Sequence, residues 1–367
     1  MGIFAHKSIS GLGIDLGTSS LKAVEIALVD GKPRLVNYGY VENIENPMRA
    51  REMEAKKRIA YLLRKMLDEA GIASRHTATA LPNFSVFSAV MSVPYLKKNN
   101  EFDAAIRWEA KKFVPMPLEE MTLKWEILQS TPHGKTASAP SVKLGAHPTP
   151  ASHQQVEVLI TAAPRSVLQH FVDIFQFSQL ELTAIETESL ASARCLVGND
   201  PATVVLVDIG AVSSDISVIE HGVPVISRSI DTGGISITKV IQQHMNIDER
   251  RAEQFKRDIG MGSGVHQEQE GMRRLIDSVF QPVLNEIRYS LELYQHRGKG
   301  VVQKVVLSGG SAYLIGIVEY LSEVLKLPVF IGDVWQFVSY PQDLKPVLDE
   351  LGPRFSVSAG LALRNLV

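Results

Sequence analysis

The strings IDLGTSS at Ile14–Ser20 and LVDIGAVSSD at Leu206–Asp215 share one pattern: an apolar strand ends in Asp-x-Gly and runs on into small hydroxyl residues. From Gly11 to Ile26 the first string lies within an apolar strand, a Gly-Thr-Ser-Ser turn and a second strand with Leu21, Ala23 and Glu25 in alternation, which predicts a β-hairpin. The second string follows the strong break Asn199-Asp200-Pro201 and predicts a hairpin of the same kind. In each, Gly17 or Gly210 permits a tight turn, the hydroxyl residues leave backbone N–H groups free to cradle phosphate oxygens, and Asp15 or Asp208 can hold Mg²⁺ through water. One Asp-x-Gly is weak evidence, because strand ends carry Asp and Gly for conformational reasons alone. Two copies opening two halves of a chain predict a duplicated α/β fold whose hairpins face each other and clamp a triphosphate.

A third element, VVLSGGSAYLIGIVEYL at Val305–Leu321, sets Gly309 and Gly310 between a buried strand and a helix, where missing side chains let backbone lie against a base or ribose. Elsewhere, Ile59, Leu62, Leu63, Met66 and Leu67 predict an amphipathic helix within Arg49–Ala70, closed by Gly71. Strands are expected near Thr77–Leu81 and Phe84–Val93, then a helix near Glu101–Phe113 stopped by Pro115 and Pro117. Further on come the strand VEVLITAA, an amphipathic segment at Ser166–Phe177, a short strand at Leu182–Ile185 and a helix through Leu196. A long helix is expected over Gly271–Gln295, and a strand over VVQKVVLS at Val301–Ser308. Between Gln129 and Gln155 the chain turns to Ser, Thr, Pro, Ala, Gly and His, too little apolar surface to offset ordering entropy, so a mobile loop is predicted. His133, His147 and His153 within it match no metal-ligand spacing.

The 367 residues exceed what one core usually organises, so two lobes are expected. Lys plus Arg is 38 against 40 for Asp plus Glu, which leaves no global basic field for nucleic acid. The single cysteine, Cys195, excludes an internal disulfide and fits a reducing compartment. No stretch reaches the roughly 20 apolar residues of a membrane span, and MGIFAHKSISGLGID lacks a secretory apolar region. A cytoplasmic protein, peripheral to a membrane only through partners, is the expectation.

The order of hairpin, interlobe helix, hairpin and Gly-Gly turn resembles the actin-like ATPase superfamily of actin, sugar kinases, heat-shock ATPases and FtsA. The resemblance implies ATP and Mg²⁺ in an interlobe cleft. Asp15, Thr18, Ser19, Ser20 and Lys22 match its first phosphate motif, Asp208, Gly210, Ser213 and Ser214 its second, and Gly309 and Gly310 its adenosine motif. RAEQFK at Arg251–Lys256 is similar to an Ala-Glu-x-x-Lys element of bacterial actins, implying ribose contact by Glu253 with Lys256 nearby. Glu188, in IETESLASAR, matches the interlobe position that orients attacking water; capping the following helix is the alternative. Asp15 and Asp208 would organise Mg²⁺, Lys22 would counter charge, and any hydrolysis would be slow. Ser214 stands where the family usually has Thr, and Val212 replaces a small polar residue.

Within that superfamily, EFDAAIRWEAKKFVPMPLEEMTLKWEIL at Glu101–Leu128 and the ending FSVSAGLALRNL resemble the PilM family of type IV pilus biogenesis. This implies a first lobe over 1–83, an inserted small α/β module over 84–158 that holds the 129–155 loop, the first lobe and interlobe helix over 159–198, a second lobe over 199–350, and a C-terminal helix over 351–367. Partners implied are the cytoplasmic N-terminal peptide of a PilN-like inner-membrane protein and other pilus platform or motor proteins. Trp108 and Phe113, taken singly, are expected to fill the module's core. A small-molecule kinase and an FtsA-like filament former remain the competing classes.

Overall fold

The computed structural model describes residues 10–42, 44–128, 155–261, 267–298 and 300–366. The chain forms two compact units, one running up to Phe84 and again from Gln169, the other spanning Ser85–Leu168.

The larger unit opens with β1 (Ser10–Leu16), β2 (Ser20–Val29), β3 (Lys32–Glu42), α1 (Met53–Glu69) and β4 (His76–Leu81). Leu12 to Leu16 of β1 are buried without alternation, as a strand covered on both faces requires. Helix α1 buries Ile59, Leu63, Met66 and Leu67 on one stripe and stops before Gly71, whose φ of 67° is the left-handed conformation glycine adopts freely.

The smaller unit carries β5 (Phe87–Pro94), α2 (Asn99–Ala110), β6 (Met121–Ile127) and β7 (Gln155–Pro164), its three strands ordered β5-β7-β6. Strand β5 starts later than expected because Asn83–Ser85 forms a 3₁₀ turn. Phe102, Ile106 and Ala110 pack one face of α2 on Met91, Val93, Val158 and Ile160. Trp108 and Phe113 do not fill this core; they are 67% and 52% exposed. At 100° per residue, Trp108 falls off the stripe set by 102, 106 and 110. The stretch 129–154, with His133, His147 and His153, lies outside the described residues, while Gln155 already belongs to β7.

The chain continues through α3 (Arg165–Phe177), β8 (Glu181–Thr187) and α4 (Glu188–Leu196), which complete a first sheet ordered β3-β2-β1-β4-β8. The second half follows with β9 (Val204–Ile209), β10 (Ser214–Glu220), β11 (Val223–Ile230), α5 (Gly234–Met245), α6 (Glu249–Ile259), α7 (Gln267–His296), β12 (Lys304–Ser308), α8 (Ile317–Leu325), β13 (Val329–Ile331), α9 (Lys345–Leu351) and α10 (Ser356–Ala362). Its sheet, β11-β10-β9-β12-β13, repeats the first: an antiparallel hairpin pair, then two parallel strands. The duplication read from two short strings is therefore a duplication of whole sheets. Helices α4 and α10 lie between the halves, and Ala193, Cys195, Phe355 and Ala359 share one core with Val24 of β2 and Val204 and Leu206 of β9.

Candidate functional site

Both Asp-x-Gly turns and the Gly309-Gly310 turn line one cavity of about 1180 Å³ inside the larger unit. Of the residues singled out from the sequence, Asp15, Gly17, Thr18, Ser19, Ser20, Lys22, Glu188, Asp208, Gly210, Ser213, Glu253, Lys256, Gly309 and Gly310 all border it. Ser214 does not: it is fully buried and donates its hydroxyl to the Thr232 carbonyl at 2.6 Å. As the first residue of a strand it points opposite to Ser213 and Asp215, which do face the cavity.

In the first hairpin, Asp15 pairs in register with Lys22, and Lys22 Nζ donates to Asp15 Oδ2 at 2.8 Å. Burial alone would lower the Lys22 pKa, but the charge and hydrogen bond of Asp15, with Asp208 beyond, hold it above its ordinary value. An ammonium has three donors, so this bond leaves Lys22 able to meet phosphate oxygens. A Cβ on Gly17 would stand 3.0 Å from the Ser20 carbonyl oxygen and from Lys22 Nζ, so a side chain there would crowd the turn.

In the second hairpin, Gly210 N–H closes the turn on the Ser213 carbonyl at 2.9 Å. Asp208 accepts from Ser308 Oγ at 2.8 Å and Ser356 Oγ at 3.3 Å. Burial raises the Asp208 pKa, and Asp15 adds to this while the hydroxyl bonds and Lys22 oppose it. Gly309, at φ 85°, lies so close that a Cβ would meet Ile209 O at 2.5 Å and Asp208 Oδ1 at 2.7 Å. The glycine turn and the second carboxylate are thus one packed unit.

Glu188 opens α4, but the cap of that helix is Thr187, whose hydroxyl accepts from Leu190 N at 3.2 Å. The capping alternative for Glu188 therefore passes to its neighbour. Glu188 Oε2 accepts the Asn83 N–H at 3.2 Å. Desolvation, then repulsion from Asp215, Asp15 and Asp208, pushes its pKa well above the carboxylate range. Lys256 is almost fully buried, its three donors meeting Glu253 Oε2 at 2.6 Å, Thr238 Oγ1 at 3.0 Å and the Gly234 carbonyl at 3.2 Å. Burial lowers the Lys256 pKa more than Glu253 raises it; on Glu253, bonds from Lys256 and Thr238 outweigh desolvation and hold the pKa down. This leaves Glu253, rather than Lys256, the partner with acceptor capacity toward a ligand.

Sequence reasoning missed Asn83, Asp215, Gly234, Tyr40, Glu42 and Arg354, all of which border the cavity. The string DTGG at Asp231–Gly234 carried a signal: Gly234 N and Ile235 N bond the carbonyls of Gly210 and Ala211 at 2.9 and 2.8 Å, where a Cβ on Gly233 would intrude. Arg354 reaches Tyr40 and Glu42, each at 2.6 Å, from a distance in sequence that no local pattern reveals.

Among the described residues no group of three or more His, Cys, Asp or Glu side chains is placed to hold a metal. Two carboxylates, Asp15 and Asp208, still suit Mg²⁺, which keeps most of its waters and takes phosphate oxygens with one or two carboxylates.

This duplicated sheet with a cleft between its halves is the actin-like ATPase fold. The family model of the type IV pilus assembly protein PilM matches residues 13–366, and the chain belongs to that family. A chain of a "PilM-PilN type IV pilus biogenesis complex" superposes with a TM-score of 0.79 at 24% identity, over 98% of this chain and 99% of that one. MreB 5 of Spiroplasma citri bound to AMPPNP gives a TM-score of 0.51 at 14% identity, over 96% and 94%. Cell division protein FtsA of Bacillus subtilis is 22% identical over 86% of this chain and 76% of its own length.

Proposed function

We propose that this chain is a nucleotide-binding adaptor of type IV pilus assembly, taking ATP with Mg²⁺ in the interlobe cleft and binding the cytoplasmic N-terminal peptide of a PilN-like inner-membrane protein. The observation that carries the nucleotide half is the meeting of three turns, at Gly17, Gly210 and Gly309, on one cavity with Asp15 and Asp208. Asp15 and Asp208 would hold Mg²⁺, which supplies charge neutralisation across the phosphates. Lys22 contributes a second positive charge, and Glu253 acceptor oxygens for ribose hydroxyls.

Glu188 is the candidate for orienting water, and burial with the nearby charges of Asp215, Asp15 and Asp208 pushes its pKa up. We expect slow hydrolysis at most, and an adaptor needs no more. The partner half is supported by the likeness to a chain of a PilM-PilN complex and by the family. We assign the recognition role to the Ser85–Leu168 unit, read as the inserted module, which displays Trp108 and Phe113 to solvent. Among the described residues no helix is long and apolar enough to cross a membrane, which agrees with a cytoplasmic protein reaching the membrane through its partner.

Calorimetry with Mg-ATP tests the nucleotide reading. Asp208→Asn keeps the shape and the bonds from Ser308 and Ser356 while removing the charge, and should weaken binding by about tenfold or more. Equal affinity in both proteins removes Asp208 from the site.

A further inference from the structure

Strands β4 and β8 run parallel with Leu81 level with Thr187, so the chain leaves the same edge of the sheet at both places. After Thr187 it starts α4 with Glu188; after Leu81 it passes Pro82 into the turn Asn83–Ser85. Those two exits are tied together. Asn83 N–H donates to Glu188 Oε2 at 3.2 Å, and Asn83 Oδ1 accepts from Ser189 N at 3.3 Å and Ser189 Oγ at 2.9 Å. The Asn83 side chain also favours the charged form of Asp215 on β10. Ser189 extends the link, with its Oγ 2.7 Å from Ser217 Oγ on the same strand.

One asparagine at the exit of β4 thus holds the interlobe helix and, through Ser189, reaches the second hairpin, with Asn83, Glu188, Ser189, Asp215 and Ser217 all on the cavity wall. Two residues later, at Ser85, the other compact unit begins. We propose that Asn83 is a positioning residue for Glu188 and Asp215 and that, through the turn Asn83–Ser85, it couples occupancy of the phosphate end of the cleft to the Ser85–Leu168 unit.

The physical ground is load on a shared anchor. Phosphate oxygens and a cation held at Asp15 and Asp208 change the field on Glu188, which feels both aspartates, and on Asp215, which feels Asp208, and hence the strength and direction of the bonds these carboxylates accept. Asn83 acts on both carboxylates, bonding Glu188 from its backbone and favouring the charged form of Asp215 from its side chain. A change on one cannot be absorbed without shifting its backbone or turning its amide. The backbone at Asn83 is the first turn of the path into β5. A residue serving only to cap a turn needs one of these bonds, not three to α4 with a further influence on β10. The inference rests on the nucleotide reading above.

Hydrogen exchange of the full chain, with and without Mg-ATPγS, reads the coupling directly at the amides of β5 and α2. In the wild type, exchange there should change by about fivefold or more on nucleotide addition, the lower range of ordinary site-to-site coupling. Asn83→Ala, at Mg-ATPγS concentrations that calorimetry shows to saturate the variant, should lose that change. Asn83→Ser, which keeps the backbone donor and a small polar side chain but loses the reach to Asp215, covers the case in which Asn83→Ala does not fold, and should also lose most of it. A full response in a folded Asn83 variant, or no response in a wild type that binds nucleotide, overturns the coupling and leaves the nucleotide reading intact. Absence of binding in the wild type defeats the nucleotide reading and this inference with it.

Discussion

Asp215 stands opposite Asp208 in the β9–β10 ladder, in the register slot that Lys22 holds opposite Asp15 in the first hairpin. The two hairpins are alike in backbone and opposite in charge at this one position. Burial pushes the Asp215 pKa up to about 7, with Asp208 adding to it and bonds from Ser229 and Asn83 opposing it. Its native pKa therefore lies above the unfolded value, so the native state binds more protons between roughly pH 4 and 7, and stability falls as pH rises through that window. Asp215→Asn should flatten this fall and raise the melting temperature at pH 8 by a few degrees, read by thermal unfolding across pH. A variant that melts lower than wild type at pH 8 would show that the charged carboxylate is stabilising there. Asp215 closes one of the strings that decided the fold, yet its role was not legible. Which of Ser213, Ser214 and Asp215 face the cleft depends on where β10 begins, and a one-residue change in that start reverses all three.

At the scale of elements, the sequence shows periodicity well and close approach poorly. Helix α1 and its end at Gly71 follow from apolar spacing and one glycine, and the β1–β2 hairpin from alternation. The strand expected over Val301–Ser308 shrinks to Lys304–Ser308 because only that part finds β9 and β13 as partners. The crossing of α10 with α4 and β1 left no periodic trace. There a Cβ on Gly360 would lie 1.8 Å from the Ala191 carbonyl oxygen, and one on Gly13 would lie 2.0 Å from that of Ser358. Backbone on both sides leaves no side chain to yield. Gly360→Ala should destabilise by about 1–3 kcal/mol, the cost of overpacking a core. Gly271→Ala, in α7 with open space around it, should instead stabilise by about 0.5–1 kcal/mol through helix propensity alone. Urea unfolding of the pair checks both signs at once, and destabilisation by both would show that α7 tolerates no change at that position.

For the whole molecule, composition limited the classes and duplication fixed the architecture, but which surfaces stay uncovered depends on helix phase within each unit. In the Ser85–Leu168 unit, the stripe Phe102, Ile106 and Ala110 is spent on the core, with Phe102 meeting Trp125 edge-to-face at 5.3 Å. Trp108, Phe113 and Met116 are left 67%, 52% and 39% exposed. Lys112 Nζ stands 4.1 Å over the Trp108 ring, so a cation holds the indole without burying it. Scattered exposed apolar residues are ordinary on a protein surface, but a tryptophan and a phenylalanine five residues apart are the kind of anchor that dominates binding energy when covered by a partner. Because these rings contribute little to the unit's own core, truncating them should leave folding within about 0.5 kcal/mol of wild type. Trp108→Ala and Phe113→Ala should each weaken capture of a PilN N-terminal peptide by about tenfold or more, with Mg-ATP affinity unchanged because neither ring borders the cleft. Titration of the peptide and of nucleotide into the same protein preparations gives both numbers. Full peptide affinity in both variants would move the partner surface off α2 and the turn that follows it, and a parallel loss of nucleotide binding would mean the rings support the fold instead.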